Sequence, residues 1–137
     1  MLLAQGILLS LASCGQDSSD TSQPQNLAKS CGDDLQCWGN KAIEVGTWKC
    51  KREVEKDAVG DVRWTDGFGR PPFMRIGWDR KAAKLMTIIG DEVQFQNRFG
   101  AYINMTYSCV VDIYGQEVVS HSVHEGRLPS TKNRPPN

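Results

Sequence analysis

Residues 101–113, AYINMTYSCVVDI, alternate with period two along their whole length. The odd positions are Ala101, Ile103, Met105, Tyr107, Cys109, Val111 and Ile113; the even ones are Tyr102, Asn104, Thr106, Ser108, Val110 and Asp112. One side is apolar and the other mostly polar, which marks a strand in an antiparallel sheet with one buried face. Such a strand needs paired neighbours and a second layer over its apolar side. It also points Cys109 inward, among the side chains that have to be covered.

A helix is the covering layer that the sequence offers. Asp33 with Gln36 three residues later has the form of a capping box, and Asp34 adds negative charge to the first turn. From there to about Ala58 the chain lacks Pro, and Ile43, Thr47, Cys50, Val54 and Ala58 recur at three or four positions. Cys50 therefore faces the core. Gly39 and Gly46 each cost about 1 kcal/mol in a helix interior relative to Ala, and they let another element approach closely. Trp38 and Trp48 lie off the stripe and are expected to pack on a second element.

After Pro71 and Pro72 the period changes to two. Met74, Ile76 and Trp78 alternate with Arg75 and Gly77, and Leu85, Thr87 and Ile89 alternate with Met86 and Ile88, so that second strand is apolar on both faces. Gly90 and Asp91 are expected to form a tight turn into residues 92–97, where Val93 and Phe95 face one way and Gln94 and Gln96 the other. A turn at residues 114–116 leads to a last strand, residues 117–123. The fold class expected is α+β: one long N-terminal helix packed on a four- or five-stranded antiparallel sheet, stabilised by disulfides.

The N-terminal segment has a different character. Residues 1–13 carry no charge, residues 6–11 are nearly all aliphatic, and the run is too short to span a bilayer as a helix. Leu11, Ala12, Ser13 and Cys14 match the bacterial lipobox: an aliphatic residue, two small ones and a cysteine. On these residues the leader resembles that of bacterial lipoproteins. The resemblance implies a signal peptide at residues 1–13, a lipid on Cys14 as membrane anchor, and a flexible tether at residues 14–30, which are rich in Ser, Asp and Gln. Gly15 rather than Asp follows the cysteine, which in that family implies the outer membrane, facing the periplasm. A basic residue normally opens such a leader and none stands here, so the true start is expected upstream.

With Cys14 assigned to the anchor, Cys31, Cys37, Cys50 and Cys109 remain, an even set in an oxidising compartment. No C-x-x-C pair occurs, and spacings of six, thirteen and fifty-nine match no common zinc ribbon or finger. Two disulfides have three connectivities. Since Cys50 and Cys109 both fall on buried faces, pairing them is the economical choice, stabilising the fold by about 4 kcal/mol in the chain-entropy model. Cys31 and Cys37 then pair across the helix start. The domain is expected over residues 31–128, with a disordered tail at residues 129–137.

Chemistry is sparsely represented. Sixteen basic and sixteen acidic side chains leave no net charge and no basic segment, so nucleic acid is not an expected partner. His121 and His124 stand three apart on a strand and project to opposite faces, so no metal and no cofactor are expected. Ser120, His121 and Asp112 supply triad residue types without a nucleophile elbow, and no enzyme activity is expected. Residues 90–112, followed by Gly126, Arg127 and Leu128, resemble a small domain of uncharacterised bacterial proteins. That resemblance covers roughly residues 37–128 and implies no activity.

Two surface segments are candidates for partner binding. Trp64, Phe68 and Phe73 sit among Gly67, Gly69, Pro71 and Pro72, flanked by Arg63 and Arg70, in a segment unsuited to a helix or a central strand. These aromatics either fold back as a lid or stand out as anchors, with Trp64, Phe68 and Arg70 as contact residues. Gln96, Asn97 and Arg98 lie between Phe95 and Phe99, either as a tight bend or as a polar rim for a partner. The function expected is a lipid-anchored, non-catalytic interaction module of the cell envelope that binds another envelope protein: an assembly accessory, an inhibitor or an exclusion factor. The alternative is a periplasmic small-molecule or glycan-binding domain, with a hydrolase ranked below it.

Overall fold

Asp34 starts the helix. Its Oδ1 accepts hydrogen bonds from the backbone N–H groups of Gln36 and Cys37 at 2.9 and 3.1 Å, satisfying two donors of the first turn. The cap therefore stands one residue beyond the Asp33 expected from sequence, and helix α1 runs Leu35–Glu55, ending short of Ala58. The structure, a computed structural model, describes residues 31–130. The leader with its Cys14 anchor, the tether and residues 131–137 lie outside the described residues.

The buried side of α1 consists of Trp38, Gly39, Ala42, Gly46, Cys50 and Val54. It is rotated from the expected stripe, since Ile43, Thr47 and Ala58 are only half-buried. The two glycines explain the rotation. A Cβ on Gly39 would overlap the Ile76 side chain, and one on Gly46 would come 2.6 Å from Val111 Cγ2, so the sheet's side chains reach the helix backbone. Trp38 is buried with them, 6.0 Å from the Trp78 ring and 6.3 Å from Tyr114, its indole N–H donating to the Gly32 carbonyl. Trp48 is exposed.

Five antiparallel strands follow: β1 Val62–Trp64, β2 Arg75–Arg80, β3 Leu85–Gln96, β4 Tyr102–Asp112 and β5 Glu117–Glu125. The order is β1-β3-β4-β5, with β2 also pairing with β3. Both β1 and β2 therefore lie along the β3 edge away from β4, β1 beside residues 93–95 and β2 beside residues 85–89. The alternation is realised over residues 107–113, where Tyr107, Cys109, Val111 and Ile113 are fully buried and joined by Met86, Ile88 and Val93 of β3; upstream, Ile103 and Met105 are half-buried, Thr106 is buried and Ala101 is exposed. Ile88 is the cross-strand partner of Cys109. Disulfides join Cys50 to Cys109 and Cys31 to Cys37, with Cα atoms 5.9 and 5.4 Å apart. The domain is α+β, as expected.

Two further expectations are corrected and one is refined. Gly90 and Asp91 do not form a turn: β3 runs through them, and its register against β4 shifts between Gly90 and Val93. Asp91 and Glu92 together stand opposite Thr106, the two-against-one count of a β-bulge. Trp64, in the segment expected to be neither helix nor central strand, closes the edge strand β1. Met74 lies outside β2 and is exposed, while Ile76 and Trp78 pack on the core.

Candidate functional site

The bulge explains why two acids enter a sheet. In a regular strand, neighbouring side chains leave on opposite faces, so one of two consecutive acids is solvated. Here the extra residue breaks that alternation and both Asp91 and Glu92 are 5% exposed. Gly90 permits the bend. A side chain there would overlap the Pro72 carbonyl oxygen and the Tyr107 ring, and the Tyr107 hydroxyl donates to that same carbonyl. Burial raises the Tyr107 phenol well above its ordinary pKa.

Glu92 is held by several partners. Thr65 Oγ1 donates to its Oε2 at 2.5 Å, and Arg70 Nε and Arg127 Nη1 stand 3.8 and 3.9 Å from Oε1. Asp91 is held by one: the Leu128 amide donates to Oδ2 at 3.0 Å, and Oδ1 has no hydrogen-bond partner among the described residues. Both acids line a cleft of about 450 Å³ whose other walls are Met74, Arg75, Arg127, Leu128, Pro129 and Ser130. Arg75 donates to the Pro129 carbonyl at 3.0 Å, so ordered contacts continue past Leu128, where the domain was expected to end.

Beside the cleft stands a small finger, residues 65–70. Its tip is closed by reciprocal backbone hydrogen bonds between Gly67 and Arg70 at 2.9 and 3.0 Å, with Gly69 at φ +75°, where a side chain would be strained. Its base is braced on the helix. Lys51 Nζ is 2.8 Å from both Asp66 carboxylate oxygens and 4.6 Å from the Trp64 ring centre, and Trp64 Nε1 donates to Glu55 Oε1 at 2.8 Å. Trp64 also meets Tyr107 edge to face at 5.3 Å. Phe68, by contrast, is fully exposed at the tip.

The aromatic segment therefore divides. Phe73 and Trp64 belong to the core and its margin, and Phe68 alone projects. Arg70 links finger to cleft through Glu92. Gln96, Asn97 and Arg98 lie elsewhere, where β3 turns into β4. Asn97 Oδ1 accepts from the amides of Phe99 and Ala101 at 2.9 and 3.0 Å, Gln96 Nε2 donates to the Gly100 carbonyl at 3.3 Å, and Gly100 has φ +84°. Their amides are engaged in making the turn; Arg98 and Phe99 are exposed.

The residues that sequence reasoning missed are Asp91, Glu92, Thr65, Arg75, Arg127 and Tyr107. The available signal was Gly90 inside an otherwise continuous strand-forming run, which suggests a bulge as readily as a turn. His121 pairs with Asp57, Nε2 to Oδ2 at 3.0 Å, and no group of three His, Cys, Asp or Glu suited to a metal occurs among the described residues. Comparisons with protein-family models, curated proteins and solved structures return no match.

Proposed function

We propose that the protein is a lipid-anchored interaction module of the bacterial cell envelope, held by Cys14 at the outer membrane facing the periplasm. It acts without catalysis and engages another envelope protein through the finger, as an assembly accessory, an inhibitor or an exclusion factor would. The observation that carries this reading is Phe68: a large aromatic side chain fully exposed on a turn that is cross-bonded at its tip and pinned to the helix at its base. Anchors of this kind lose little conformational freedom on binding, because their backbone is already ordered. The leader residues Leu11, Ala12, Ser13 and Cys14 support the location.

A photo-crosslinking amino acid placed at position 68 in the native host tests the reading. One discrete adduct to an envelope protein is expected, lost when the probe is moved to the exposed position 119 on β5. Equal labelling from both positions, or none, overturns it. Palmitate labelling tests the anchor separately, and label that survives Cys14→Ala rules the anchor out. The second reading, a small-molecule site, is favoured by the bulge cleft.

A further inference from the structure

We propose that the bulge cleft binds a small zwitterionic amino compound, a free α-amino acid or a short peptide, between Asp91 and Arg75. The proposal rests on the cleft's own chemistry and is independent of the finger.

Asp91 is 5% exposed, uses only Oδ2, and has no cationic partner within 4 Å among the described residues. A buried carboxylate without a cation or a full set of donors is costly, so the fold retains it against a penalty. Arg75 is its counterpart. The guanidinium has five N–H donors, of which the Pro129 carbonyl takes one, and no carboxylate among the described residues pairs with it. The two opposite charges line one cleft without pairing with each other. Consecutive residues of the C-terminal segment hold them in place, the Leu128 amide on Asp91 and the Pro129 carbonyl on Arg75.

This arrangement selects among ligands. A bare cation would meet the guanidinium groups of Arg75 and Arg127, and a bare anion would meet Asp91 and Glu92. A molecule with an ammonium at one end and a carboxylate at the other satisfies both sides: the ammonium pairs with the Asp91 carboxylate, and the carboxylate accepts from Arg75. The volume of the cleft, about 450 Å³, and the exposed Met74 at its side leave room for a short apolar side chain.

The test is calorimetric titration of the purified protein with L-alanine, alanylalanine, ethylamine and acetate, with amide NMR alongside. At least one zwitterion is expected to bind about tenfold or more tightly than ethylamine or acetate, and to shift the Leu128 amide resonance. Tighter binding of L-alanine identifies the free amino acid as the ligand class, and tighter binding of alanylalanine the peptide. Asp91→Asn and Arg75→Gln should each weaken that binding about tenfold. If Asp91→Asn does not fold, Arg75→Gln, on an exposed side chain, decides the matter. No binding of either zwitterion at about 10 mM, ethylamine binding as tightly as L-alanine, or unchanged affinity in Arg75→Gln would each overturn the proposal.

Discussion

Gly90 and Tyr107 are cross-strand partners, and the Tyr107 ring occupies the space that a side chain on Gly90 would need: a Cβ there would lie 2.6 Å from the phenol oxygen. Beside the phenol oxygen, and accepting its hydrogen bond, stands the Pro72 carbonyl, a backbone atom that cannot rotate away. Gly90→Ala is therefore expected to destabilise the domain by about 3 kcal/mol or more, read as a lower urea midpoint. Gly77 of β2 serves as the control, since nothing lies within 4 Å of its Cβ position. Gly77→Ala should leave stability within about 0.5 kcal/mol or raise it slightly.

Tyr107 also contributes to the loss of stability at alkaline pH. Its phenol is raised in the folded state by burial, so the folded protein keeps the proton that the unfolded chain releases near pH 10. The stability that this contributes is complete below about pH 10 and falls as pH rises above it. Tyr107→Phe should be less stable at pH 7, through loss of the hydrogen bond to Pro72, yet lose less on going from pH 9 to pH 11. Urea unfolding at the two pH values measures both effects.

Phe68 and Phe73 stand five residues apart and should behave oppositely. Phe68→Ala removes an exposed ring and is expected to change stability by no more than about 0.5 kcal/mol while abolishing co-purification of the envelope protein that the position-68 probe captures. Phe73 is 5% exposed and packs edge to face on Tyr107 at 5.7 Å. Phe73→Ala should cost about 3 to 5 kcal/mol. Thermal unfolding of the two variants, measured side by side, distinguishes an anchor from a core residue.

The double variant Cys50→Ala, Cys109→Ala opens a closure spanning 59 positions and is expected to lose about 4 kcal/mol or less, the chain-entropy value being an upper figure. Mass spectrometry of the unreduced wild-type protein should find no free thiol at Cys50 or Cys109.

What could be read in advance followed from local periodicity. The alternation of residues 101–113 placed Cys109 inward, the helical spacing placed Cys50 inward, and the pairing followed from those two facts. What could not be read depends on contacts far apart in sequence. Gly90 and Asp91 have turn composition, and only the Pro72 carbonyl and the Tyr107 ring, pressed against Gly90, decide for a bulge instead. The buried acids and their arginines follow from that decision. Phe68 and Phe73 are the same residue type in one Gly- and Pro-rich segment; the Gly67–Arg70 closure turns one outward while Tyr107 receives the other.

The two disulfides have a mechanical consequence. A pull applied upstream of Cys31 passes through the sulfur bridge directly to Cys37, so the intervening loop cannot lengthen. Should the helix between Cys37 and Cys50 unravel, it would lengthen by at most about 2 Å per residue, from a rise of about 1.5 Å to about 3.6 Å, before the load reached the second bridge. From there the force crosses to Cys109, and the finger, the bulge and the cleft all lie inside the covalent ring that Cys50 and Cys109 close, apart from the cleft's C-terminal wall. A chain tugged from its N-terminal side thus keeps the geometry of its exposed aromatic tip under load.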